Sequence, residues 1–162
     1  MGLVEAAISL QLTTSMVWGH NWALGLPLIV LTVLIHVLGL GFINHRAVSV
    51  LSQRTQRRHP AVAFAAVVGT ATLLATCLHA AEAGMWAIAY RLLEALSNNK
   101  AAMLYSLNAM TSYGHEALLL EEPWQLLGAI EALNGCLLFG LTTAFLFGII
   151  HKVWSTGSSG KC

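Results

Sequence analysis

Charged side chains are missing from three long stretches of the chain: between Glu5 and Arg46, between Arg58 and Glu82, and between Glu131 and Lys152. Leu, Ala, Val, Ile, Phe and Gly fill most of each gap. A bilayer core about 30 Å thick takes roughly 20 mostly apolar helical residues to cross. In lipid only segments that satisfy their own backbone hydrogen bonds survive, so each stretch is expected to be a helix. The pattern predicts an all-α integral membrane protein with three spans, at about 23–43, 61–90 and 124–150. Pro27 is expected in the first turn of the first span, where a missing N–H does least harm. Residues 1–22 mix Leu3, Ile8 and Leu10 with Gln11, Thr13 and Thr14, and are read as an N-terminal interfacial helix ending at Trp18 and Trp22. A short additional span is the alternative there. Residues 23–154 then form one membrane domain, followed by a flexible Gly/Ser-rich tail at 155–162.

Composition sharpens this picture. The 162 residues are 57% hydrophobic and 9% charged, with a mean hydropathy of +0.70. An ordinary soluble domain has about a quarter of its residues charged. Asp is absent and the formal net charge is +1, which speaks against a nucleic-acid partner and leaves membrane lipid as the expected surroundings. Cys77, Cys136 and Cys162 form no CxxC pair, and the first two fall within spans as small apolar residues. The N-terminus lacks the basic region of a cleaved signal and carries Ala6 where a myristoylation motif has Ser or Thr. No enzymatic activity and no cofactor are expected. Arg46, Arg54, Arg57 and Arg58 lie between the first two spans, and Lys152 and Lys161 follow the third. The positive-inside rule places both regions in the cytoplasm and the N-terminus outside.

The unusual segment lies between the second and third spans. Ala101–Met110 is apolar but about half the length a crossing takes. It is followed by Thr111, Ser112, Tyr113, Gly114 and His115. A short apolar helix followed by polar, Gly-containing chain reads as a re-entrant segment, tolerated at depth only where it is buried in protein or lines a watery cavity. Backbone carbonyls turned towards such a cavity can replace an ion's hydration shell.

On these residues, His79 to Phe147 resembles the bacterial pore-loop potassium-channel family, of the ion-channel-domain, "two pore domain" type. The resemblance rests on a span, then Ala102-Met103-Leu104-Tyr105-Ser106-Leu107-Asn108-Ala109-Met110-Thr111-Ser112-Tyr113-Gly114, then an inner-helix-like run from Trp124 to Phe147. It implies an outer helix, a pore helix over about 101–110, a filter at Met110, Thr111, Ser112, Tyr113, Gly114 and His115, and an inner helix. It also implies a bacterial inner-membrane location and a homo-oligomer, a tetramer if the protein conducts, because one pore loop cannot encircle an axis. The family's Thr-x-Gly-Tyr-Gly-Asp is altered at Met110, Ser112 and His115. The implied function is a cation-channel-like protein of altered selectivity. A non-conducting accessory or structural subunit of a larger membrane complex, and a small membrane haem or metal protein, are the alternatives.

Five polar residues stand within the spans: His36, His79, Glu82, Glu131 and Asn134. At 1.5 Å per residue they fall roughly 10–18 Å from the outer ends of their helices, in one layer. Intramembrane ionisable groups face the protein interior or water and are candidates for function. Three readings stand open: a hydrogen-bond network bracing the pore helix through Ser106 or Asn108, a proton-responsive gate, and a metal or haem site using the two histidines. The other histidines fall near interfaces. Gly128, Gly135 and Gly140 allow close packing along the third span.

Overall fold

The computed structural model describes residues 2–54, 60–114 and 119–158. Among them every regular element is helical: α1 (Gly2–Arg54), α2 (Pro60–Leu92), α3 (Asn99–Met110), a 3-10 turn (Glu122–Trp124) and α4 (Gln125–Ser158). Three stretches are long and apolar enough to cross a membrane: Ser15–Arg46, Phe64–Leu92 and Glu122–Lys152. The chain is thus an all-helical protein of multi-pass membrane type.

Two boundaries differ from the sequence reading. Residues 2–54 form one unbroken helix, so there is no separate element over 1–22, and Pro27 lies in the helix interior rather than in a first turn. The reason is visible at Asn21, which is buried rather than interfacial. Its Nδ2 donates to Val17 O at 2.8 Å and to Pro123 O at 2.7 Å, and its Oδ1 accepts from Leu127 N at 3.0 Å. The amide therefore caps a free N–H in the first turn of α4, which has no partner within its own helix. At the other end α4 runs through Ser158, so the first residues of the expected tail are helical. The remainder of that tail and the arginines at 57 and 58 lie outside the described residues.

The chain divides into two compact units. The first comprises Met1–Thr32 and Ala83–Cys136, the second Val33–Glu82 and Leu137–Cys162. In the first unit, Trp86, Tyr90, Leu127 and Ile130 are buried together with Ala102 of α3. The buried residues of α3 are Ala102, Ser106, Ala109 and Met110, a single stripe at i, i+4, i+7 and i+8. The side chain of Asn98 accepts from Ala101 N at 2.8 Å and caps the start of this helix. In the second unit, Val67, Ala71 and Ala75 of α2 pack with Leu40, Ile43 and Ile149. Their i, i+4, i+8 spacing lays a narrow apolar stripe along α2.

Candidate functional site

The first unit holds α3 against α4. Gly128 and Gly135 are two turns apart on α4, and both sit under α3. A β-carbon at Gly128 would lie 2.1 Å from the Tyr105 hydroxyl oxygen. The Tyr105 hydroxyl ends a side chain that can swing aside, whereas Gly135 faces the Met110 backbone, which cannot. Polar bonds reinforce the packing. Glu131, fully buried, accepts from the Tyr90 hydroxyl through Oε2 at 2.6 Å and from the Ser106 hydroxyl through Oε1. Ser106 Oγ also faces Ala83 O at 2.7 Å, which ties the middle of α3 to α2 and α4 together. Of the five polar residues expected in one layer, Glu131 is the one bonded to Ser106 of α3. Tyr90 belongs to the same set of bonds, although its position at the end of an apolar span carried no polar signal. Tyr105 lies outside the three spans, and burial, assisted by the charge of Glu131, pushes its phenol up to about 12.

Asn134 stands three residues from Glu131 but serves a different partner. Its Nδ2 donates to Thr32 Oγ1 at 3.0 Å, joining α4 to α1. Thr32 in turn lies 2.9 Å from Leu28 O and 3.0 Å from Ile29 O, so the pair is saturated with partners.

The turn after α3 has a defined geometry. Thr111 N donates to Leu107 O, Ser112 N to Ala109 O and Tyr113 N to Asn108 O, at 3.1, 2.9 and 3.0 Å. This is a Schellman closure in which Ser112 takes the left-handed position, at φ +53°, usually given to glycine. Gly114 is also left-handed, at φ +82°. Among the described residues all peptide bonds are trans, so the carbonyl of each unit points opposite to its N–H. The carbonyls of Thr111 and Ser112 therefore face away from α3, at a turn where residues 111–114 are all exposed. Met110 does not share this position. Its side chain is buried, and its carbonyl presses on Gly135. His115 lies outside the described residues.

The second unit contains the other half of the expected polar layer. His36 and Glu82 are both fully buried, with His36 Nδ1 at 2.9 Å from Glu82 Oε1. His79 Nδ1 stands 3.5 Å from Glu82 Oε2, on the same face of α2 one turn earlier. Thr142 Oγ1 lies 3.0 Å from both His36 Nε2 and His79 Nε2. The imidazole rings of His36 and His79 are 4.9 Å apart, and Phe139 stacks on His79 at 4.5 Å. The sequence placed five residues in one layer. The fold sorts them into separate sets, with His36 and His79 held between Glu82 and Thr142 in one unit, and Glu131 and Asn134 on distinct partners in the other. Nothing in the sequence singles out Thr142, since a hydroxyl in an apolar span most often satisfies its own helix. Comparison with protein-family models, with curated proteins and with solved structures finds no match for this chain.

Proposed function

We propose that this chain is a pore-loop, cation-channel-like membrane protein with an altered filter, which conducts only as a homo-oligomer. The observation that supports it is the turn at Thr111–Gly114. The N–H groups of Thr111, Ser112 and Tyr113 are consumed by α3, the left-handed residues alternate, and the carbonyls of Thr111 and Ser112 are turned out at an exposed surface. Carbonyl oxygens presented in this way are what a dehydrated cation requires. A rigid brace at Ser106 and Glu131 serves the same end, because a filter must hold its oxygens in place when water leaves the ion. Several copies arranged about an axis complete the ring that one turn begins. In the membrane, the Arg-rich segment between α1 and α2 faces the cytoplasm, and the N-terminus and the α2–α4 connection face outwards.

A second reading, a non-conducting structural subunit, draws on Met110. The pattern of the pore-loop family has a hydroxyl residue there, whereas this chain buries a thioether. Cation flux into liposomes containing the purified protein separates the two. The channel reading expects measurable flux that is poorly selective for potassium over sodium. It also expects the double variant Ser112→Gly with His115→Asp to shift selectivity towards potassium. No flux from either form, with both folded and oligomeric, leaves the structural subunit.

A further inference from the structure

We propose that His36, His79 and Glu82 form a binding site for a divalent transition-metal ion of the zinc class, with Thr142 holding both imidazoles from behind. This is independent of the pore reading, since all four residues belong to the second unit.

Geometry carries the first half of the argument. One ligand atom from each of His36, His79 and Glu82 lies within 4.8 Å of the other two. The closest separations are 2.9 Å for His36–Glu82 and 3.5 Å for His79–Glu82. Ligands about 2.0–2.2 Å from a tetrahedral ion stand roughly 3.3–3.6 Å from one another. The two Glu82 separations are close to that range, and the two imidazole nitrogens, within 4.8 Å of each other, close the site by turning their rings. Two imidazole nitrogens and one carboxylate oxygen suit zinc and its first-row neighbours, whereas magnesium and calcium prefer all-oxygen sets.

Hydrogen counting carries the second half. A neutral imidazole has one N–H, and Thr142 has one hydroxyl hydrogen. Without a cation these three hydrogens face four close pairs, His36 Nδ1–Glu82, His36 Nε2–Thr142, His79 Nε2–Thr142 and His79 Nδ1–Glu82, so one pair goes without in every tautomer. Take the arrangement in which His36 Nδ1–H donates to Glu82, the Thr142 hydroxyl to His36 Nε2 and His79 Nε2–H to Thr142 Oγ1. His79 Nδ1 is then left as a bare lone pair facing a carboxylate oxygen. That nitrogen is indeed buried with no hydrogen-bond partner. A divalent cation among the three ligands removes the conflict. Both rings then carry their hydrogen on Nε2 and donate to the two lone pairs of Thr142, and both Nδ1 lone pairs point at the ion. A metal-bound histidine ordinarily donates its second N–H to such a partner, which fixes its tautomer and ring orientation. The buried Glu82 carboxylate gains a counter-charge in the same step. Three protein ligands leave a further coordination position for a group from outside.

A proton on His79 Nδ1 is the rival explanation, and cobalt distinguishes the two. The full-length protein, purified in detergent without a histidine tag and treated with chelator, is titrated with Co²⁺ alone. The expected result is one equivalent per chain, with visible d–d bands of a four- or five-coordinate ion that Zn²⁺ displaces. Glu82→Gln and His79→Phe should abolish this saturable binding, and Thr142→Val should weaken it about 10- to 100-fold. His151→Ala should leave it unchanged. Absence of the bands in the native protein overturns the proposal in favour of the proton. So does native-like binding by folded Glu82→Gln or His79→Phe. If those two variants fail to fold, Thr142→Val decides, because it retains all three ligands: unchanged affinity overturns the site.

Discussion

Gly135 lies so close to the backbone of Met110 that a β-carbon on it would fall 2.0 Å from the Met110 carbonyl oxygen. A backbone atom cannot swing aside as a side chain can, so α3 and α4 meet there at a distance set by glycine. Gly135→Ala should therefore push α3 outwards and destabilise the protein by about 1–3 kcal/mol. Gly140→Ala, with open space around the position, should leave stability unchanged. Thermal melting of the two variants in detergent checks the contrast, and equal melting temperatures would remove the close packing.

Glu131 joins Tyr90 and Ser106 in a fully buried site. Replacing it by Leu strands the Tyr90 hydroxyl, while Ser106 keeps Ala83 O, and an unsatisfied buried group costs roughly 1–3 kcal/mol. Gln keeps an acceptor for Tyr90 and offers an N–H to Ser106, whose own hydrogen then serves Ala83 O. Glu131→Leu should lose yield and melt much lower, and Glu131→Gln should stay near the native value.

Ser112 holds φ +53° and Glu94 holds φ +56°, each just beyond the end of a helix. A side chain with a β-carbon pays roughly 1–2 kcal/mol in this region. Ser112→Gly and Glu94→Gly should each raise stability by about 1 kcal/mol after the entropy cost of glycine is deducted. If Ser112→Gly instead lowers the melting temperature, the serine hydroxyl holds something beyond its 3.8 Å contact with the Cys136 sulfur.

Tyr105 ionises at about 12 in the folded chain against an ordinary 10.0. The folded form disfavours the phenolate, so its contribution to stability is complete below pH 10 and is lost as the pH rises through about 12. The native protein should lose more stability than Tyr105→Phe across that window. Denaturation followed at both ends of the range measures the difference, and parallel curves would contradict the assigned environment.

Topology is open to chemical labelling. In a background without native cysteines, single cysteines at Gln53 and Asn99 should react with an impermeant reagent from opposite sides of the membrane. Reaction from the same side is incompatible with one crossing by α2.

The membrane class of this protein was legible in its charges alone. Gaps of this length can end in lipid only as helices, because no other open structure satisfies the backbone there. The i,i+3 spacing of His79 and Glu82 likewise puts both on one face of a helix. Helix ends were less legible. Polar residues at 11–15 argued for a break before the first span, yet burial of Asn21 against α4 belongs with a continuous helix, and no local signal reports a partner 102 residues away. The same limit applied to the polar layer. Depth along each helix follows from residue counting, but which way a side chain faces depends on the rotation of that helix about its axis. Rotation is set by packing. Glycines at 128 and 135 admit α3 to one face of α4 and so turn Glu131 towards Ser106, while His36 and His79 are held between Glu82 and a threonine that nothing in the sequence distinguishes from its neighbour Thr143.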